Sequence, residues 1–125
     1  MVAMAACRAG ERLHDSRRKE WSDFSGRRGV AHREIMAPEG SAPWLSDRQT
    51  LWNAVEHAEK RVDAQLAREI NMALPHELTD DQRLDLVRGF VAEQFVARGM
   101  VADIAITGRC WRRGTIPATT MRIFC

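Results

Sequence analysis

A chain of 125 residues, 45% apolar and 29% charged, is long enough for one domain around one core and has an ordinary globular composition. No apolar run approaches a membrane span. The apolar start Met1–Cys7 has no basic region ahead of it and ends at Arg8, which argues against a secretory signal and for a cytoplasmic protein without a membrane partner. Cys7, Cys110 and Cys125 are odd in number and lack Cys-x-x-Cys spacing, so they do not make a disulfide framework.

The net charge of +2 conceals an asymmetry. Residues 1–36 hold eight Arg or Lys and five acids, residues 37–106 seven and twelve, and residues 107–125 four arginines and no acid. Basic ends suit contact with phosphate, and equally suit solvated loops.

Along the chain, residues 2–14 read as an alanine-rich helix with Leu13 on the side of Ala6 and Ala9. Residues 15–29 are polar, contain Gly26 and Gly29, and read as a loop. Val30 to Met36 reads as a short strand, after which Pro38, Gly40 and Pro43 break the pattern. Ser46 and Gln49 form a capping-box pair. Leu51, Val55, Ala58, Val62 and Leu66 follow at helical spacing, which predicts a helix over 47–63. Ile70, Met72 and Leu74 alternate with Glu69, Asn71 and Ala73, which predicts a strand over 66–74 that Pro75 stops. Thr79 and Gln82 form a second capping box. Leu84, Val87, Val91 and Phe95 carry a helix with a solvated acidic face toward a C-cap at Gly99. Residues 100–106 read as a buried strand. The order implies an α/β or α+β domain over 1–106, with helices on a sheet. Residues 107–125 show no periodicity and read as an irregular tail.

Several segments, in this order and spacing, resemble the MobA/MobL family of DNA relaxases. They are Ala-Ala-Cys-Arg-Ala-Gly-Glu-Arg-Leu-His-Asp (5–15), Gly-Val-Ala-His-Arg-Glu-Ile (29–35), Ala-Pro-Glu-Gly (37–40), Leu-Trp-Asn-Ala-Val-Glu (51–56), Glu-Lys-Arg (59–61), Ala-Arg-Glu-Ile-Asn-Met-Ala-Leu-Pro (67–75) and Phe-Val-Ala-Arg-Gly-Met-Val-Ala-Asp-Ile-Ala-Ile (95–106). The resemblance implies an incomplete relaxase-like antiparallel sheet of two or three strands with packed helices. It also implies the nickase of plasmid mobilisation. In that family a tyrosine attacks a DNA phosphodiester at the transfer origin and stays linked to the 5′ end. A divalent metal such as Mg or Mn, held by three histidines, neutralises charge on the phosphate.

Mapped position by position, the chemistry is interrupted. Cys7 stands where the resemblance places the tyrosine, and the chain contains no tyrosine. Thr107 stands where it places a histidine ligand, and no histidine follows His76 to supply a His-x-His pair. Glu69 is the acid that remains on its strand, with Asn71 in place of a second. The family's first strand, ahead of the tyrosine helix, has no counterpart in the match. The resemblance thus implies a relaxase with no intact nucleophile, no metal site and no cofactor of its own, and DNA as partner. Arg8, Arg12, Arg17, Arg18, Lys19, Arg27, Arg28 and Arg33 would contact the DNA backbone.

Other readings stand beside these. Cys7 could serve as a thiolate nucleophile with His14 seven residues on along one helix, or be inert. His14, His32, His57 and His76 fall on four elements without ligand spacing. Trp44 and Trp52 read as packing residues. The chain is then a nickase by descent, a non-catalytic DNA-binding remnant, or a product without function.

The genetic code offers one account of the tail: the loss of a nucleotide near codon 107. Thr107 is encoded ACN, so a restored preceding C gives histidine, and the shifted frame over codons 118–125 permits Asn-Tyr-His-Ala-His-Ile-Leu, a metal-binding pattern. This account requires codons 120 and 122 to end in C. Sequencing the gene checks it, and any other base at either place removes the histidine pair.

Overall fold

The alanine-rich start forms helix α1 (Val2–Ala9), because alanine gives up least on entering a helix. It stops earlier than the sequence suggests. Gly10 adopts a left-handed conformation, φ 66°, ψ 43°, and its N–H donates to the Ala6 carbonyl. The chain then turns into a hairpin, strands β1 (Arg12–Asp15) and β2 (Glu20–Asp23), where the sequence reading placed the end of a helix and a loop. The turn between them is built by Asp15, whose Oδ1 accepts the N–H groups of Arg17 and Arg18 at 3.0 Å each, an arrangement that short acidic side chains favour. Leu13 still reaches the core expected of it, but from β1. It packs with Val2, Ala5, Ala6 and Trp52. The computed structural model describes residues 1–26, 29–61, 63–75, 77–107 and, for the backbone, 118–124.

Strand β3 (Val30–Met36) leads through a 3-10 turn (Pro43–Ser46) into helix α2 (Arg48–Ala58). The Ser46 cap is not used. Asp47 is the N-cap residue, and Gln49 instead accepts the His14 N–H at 2.9 Å. α2 also ends sooner than residue 63, with Glu59 already extended. Strand β4 (Arg68–Ala73) precedes helix α3 (Asp80–Gln94), which opens on the expected Thr79–Gln82 capping box. Gly99, φ 84°, caps a 3-10 turn (Val96–Arg98) rather than α3 itself, and strand β5 (Val101–Thr107) follows.

The segment expected to be irregular supplies a strand. Ala118–Phe124 form β6, which pairs antiparallel with β5 on one side and β4 on the other. Its Thr, Ile and Phe content suits a strand, and the two flanking strands offer backbone donors and acceptors that need partners. The sheet is therefore four-stranded and antiparallel, in the order β3-β5-β6-β4, with the hairpin as a separate two-stranded ribbon. This α+β fold has more strands than the two or three expected.

The sheet separates two layers. On one face Val87 and Val91 of α3 cover Leu74, Ala102, Ile104 and Ile106 in a dry cluster. Each fully buried valine contributes roughly 1.5–3 kcal/mol by removal from water. Arg88 of α3 also grips Glu34 of β3 through two bonds, 2.7 and 3.2 Å. Asp103 alternates to the other face of β5. Its buried carboxylate accepts from Arg48 Nη2 at 2.7 Å, from Arg48 Nε at 3.0 Å and from Trp52 Nε1 at 2.7 Å. Arg48 Nη1 reaches Glu11 at 2.8 Å, Glu11 meets Arg33 Nε at 3.0 Å, and Arg33 Nη1 donates to the carbonyl of Ala9 at 2.8 Å. Burial opposes charge on Arg48 more than any single partner favours it. Together the bonds and charges of Asp103 and Glu11 prevail and hold its pKa above the usual arginine value. No helix among the described residues is long and apolar enough to cross a membrane.

Two outcomes follow. Asp103→Asn keeps the shape but removes the closer of the two carboxylates that pair the buried Arg48, leaving Glu11 alone to balance it, so it should lower unfolding stability by up to roughly 3–5 kcal/mol, read from the urea midpoint. For Glu34, burial is the largest influence and raises the pKa, but the hydrogen bond and charge of Arg88, with help from His32, outweigh it and hold the carboxyl below its ordinary value. The stabilisation it gives is thus present above the unfolded glutamate pKa of about 4.3 and is lost as pH falls through the lower folded value. The melting temperatures of the natural chain and of Arg88→Ala should converge as pH drops from 6 to 2.

Candidate functional site

The face of the sheet opposite α3 gathers the positions that the sequence singles out. Cys7 lies on α1 and is half-buried. Its neighbour Arg8 places Nε 2.8 Å from Glu69 Oε1 on β4, which ties α1 to that strand. That contact is an ion pair by distance but not by hydrogen-bond alignment, for Glu69 Oε1 is buried without a bonded donor. Asn71 follows two residues on and is exposed. Thr107 ends β5, opposite Val30. In the register of β6, position 122 stands between Asp103 and Glu69, and position 120 between Ala105 and Asn71. Cys110 and Cys125 lie outside the described residues.

The pairing of Cys7 with His14 along one helix does not occur. The helix ends at Ala9, and His14 sits on β1 with its ring 5.0 Å from that of Trp21. His57 lies elsewhere, its Nε2 2.6 Å from Ser16 Oγ, and His32 is 3.5 Å from Glu34. His76 lies outside the described residues.

The divalent metal that the resemblance implies needs several anionic or imidazole donors converging on one point. Thr107 offers a neutral hydroxyl. Glu69 faces the Arg8 cation, and Asp103 is taken up by Arg48 and Trp52. Among the described residues no group of three or more His, Cys, Asp or Glu is placed to hold a metal ion. The residues present do not fit the group.

The basic residues divide into two sets. Arg8 and Arg33 are committed to Glu69 and Glu11. Arg12, Arg17, Arg18 and Lys19 lie on the hairpin and are exposed. The ion pairs of Arg18 and Arg12 among the described residues are long, 3.8 Å to Glu20 and 4.0 Å to Asp23, and water screens both. Arg27 and Arg28 lie outside the described residues. Of the two tryptophans expected to pack, Trp52 is fully buried whereas Trp44 is 47% exposed. The sequence reading passed over Asp103, Arg48 and Glu11. A lone acid inside an apolar strand was the available signal, since a buried charge needs a partner.

The architecture and the sequence both have known counterparts. A structure solved in work on the molecular basis of vancomycin resistance transfer in Staphylococcus aureus matches with a TM-score of 0.87 at 27% identity, over 98% of this chain and 61% of that one. A probable conjugal transfer protein TraA of Sinorhizobium fredii is 41% identical over 112 residues, which are 82% of this chain and 10% of that protein. The mobilization protein MobL of Acidithiobacillus ferridurans is 40% identical over 102 residues, 82% of this chain and 26% of that protein. A probable mobilization protein MobA of Bifidobacterium longum is 37% identical over 97 residues, 78% and 17%. The chain thus spans about a tenth of the length of the TraA proteins it matches. The model of the MobA/MobL family matches residues 1–110, and the chain belongs to that family.

Proposed function

We propose that this chain is a relaxase-fold module of DNA mobilisation that binds single-stranded DNA of a transfer origin and does not cleave it. The observation that carries the reading is Cys7. By the resemblance it stands at the nucleophile position, and this MobA/MobL family chain holds no tyrosine among its 125 residues. Conjugal transfer and mobilization relatives at 35–41% identity support a role in moving DNA. Exposed Arg12, Arg17, Arg18 and Lys19 support contact with its phosphates. Cleavage by transesterification needs a nucleophile, and it needs positive charge on the phosphoryl oxygens as the bond breaks. Cys7 as thiolate could answer the first need. Thr107, Glu69 and Asn71 do not answer the second, because a hydroxyl, a carboxylate and an amide carry no cationic charge, and the adjacent Arg8 cation is already paired with Glu69.

Incubation of the protein with supercoiled plasmid bearing a transfer origin and Mg or Mn should give no open circles and no covalent DNA–protein adduct. Cys7→Tyr alone should not restore them. A covalent adduct formed by the natural chain sinks the reading that it does not cut. Binding to single-stranded DNA should be measurable at 50 mM salt and fall steeply toward 200 mM.

A further inference from the structure

The β1–β2 hairpin carries an exposed face that the fold does not use. Its inner positions are filled: Leu13 is in the core, and the Asp15 carboxylate closes the turn. Its outer face presents Arg12, His14, Trp21 and Asp23, with His14 directly across from Trp21 and Arg12 across from Asp23. Trp21 is 56% exposed, the most exposed large apolar side chain among the described residues. The Arg12 guanidinium lies 4.4 Å from its ring centroid, and the His14 ring meets it tilted by 54°. Cross-strand stacking of this kind lends a hairpin some stability, but it does not require so large an apolar ring to remain in water.

Two further features give the face a direction. The turn just beyond Trp21 is cationic: Arg17, Arg18 and Lys19 follow one another, and the side chains of Arg17 and Lys19 make no ion pair among the described residues. Trp21 lies two residue steps past Lys19, at most about 7 Å along the chain, so a ligand stacked on the ring sits within a Debye length of the turn charges. Between Arg8 and Arg33 the sequence holds eight basic residues and four acids. The hairpin is also pinned. The His14 N–H donates to Gln49 Oε1 at 2.9 Å, Asn53 Nδ2 donates to the His14 carbonyl at 2.7 Å, the Ser16 N–H donates to Asn53 Oδ1 at 2.8 Å, and Ser16 Oγ meets His57. Three side chains of α2 therefore hold the ribbon, and a ligand meets a surface already in place.

An exposed aromatic ring beside a run of cations matches single-stranded nucleic acid, whose bases offer stacking faces and whose backbone offers regular negative charge. We infer that Trp21 is a base-stacking platform for single-stranded DNA, with Arg12 steering the ring and Arg17, Arg18 and Lys19 engaging the neighbouring phosphates. The inference rests on the proposed DNA-binding role and assigns it to this hairpin. In a duplex the base faces are stacked on one another, so the platform serves single strands in preference to double strands.

The test uses fluorescence anisotropy of the full chain with a labelled 20-nucleotide oligothymidine and with a duplex of the same length. Trp21→Ala should weaken oligothymidine binding about tenfold, leave the slope of affinity against salt unchanged, and leave weaker duplex binding unaltered. Trp21→Phe should keep most of the affinity, and Trp44→Ala, at a tryptophan that is also largely accessible, all of it. A melting curve of Trp21→Ala that matches the natural chain shows that the exposed site, not the fold, was changed. If Trp21→Ala binds oligothymidine as tightly as the natural chain, the platform is refuted while charge-driven DNA binding stands. If the natural chain shows no salt-dependent binding to oligothymidine, the DNA-binding role itself falls, and the platform with it.

Discussion

A single carboxylate fixes how the two layers meet. Asp103 lies inside a strand that is otherwise apolar, and an ionised acid there costs several kcal/mol unless its lone pairs are filled. Arg48 and Trp52, one turn apart on α2, fill them, so the helix can dock at one height and one rotation only. The chain of contacts continues through Glu11 and Arg33 to the carbonyl of Ala9. The end of α1, the start of the hairpin and the edge strand β3 are thereby set from the same point. A hydrophobic patch of similar size would hold these elements as firmly but would not choose their register.

The two faces of the sheet separate scaffold from chemistry. The α3 face is a packed apolar layer in which a lost methyl group leaves a void. The opposite face holds the positions that the family resemblance singles out in the sequence. Cys7 is half-buried on α1, Asn71 is exposed on β4, and Thr107 ends β5. None of the three belongs to either buried apolar cluster. Exchanges at such places leave packing intact, which fits an architecture that matches its solved counterpart at a TM-score of 0.87 with only 27% identity.

The parts of this arrangement that were legible in the sequence are those governed by local rules. Thr79 and Gln82 announce α3 because both halves of a capping box lie within four residues. Residues 100–106 announce a buried strand through an apolar, β-branched run, found as Val101–Thr107. The hairpin was hidden because its outward residues Arg12, His14 and Trp21 and its inward residues Leu13 and Asp15 do not alternate cleanly between apolar and polar. Gly10, which ends α1, reads in sequence as one glycine among several. On α2 the expected core stripe was Leu51, Val55 and Ala58, whereas the buried set includes Arg48 and Glu56. Those two charges lie inside because of partners 55 and 54 residues away, Asp103 and the Val2 N–H, and no local window contains such information. Strand β6 was missed for a similar reason: its identity comes from the two strands that flank it.

The place of β6 also bears on how the chain reaches this form during synthesis. β4 and β5 emerge from the ribosome before it, yet they are not neighbours in the sheet; β6 lies between them. Until it arrives, each presents an open row of backbone donors and acceptors, and nothing in the sheet joins β4 to the β3–β5 pair. The helical parts, whose contacts are local, are free to form as they emerge, whereas the sheet waits for its interior strand. Until β6 pairs, the edges of β4 and β5 that it covers stay adhesive, and the interval in which aggregation or chaperone capture competes with folding closes only when β6 inserts.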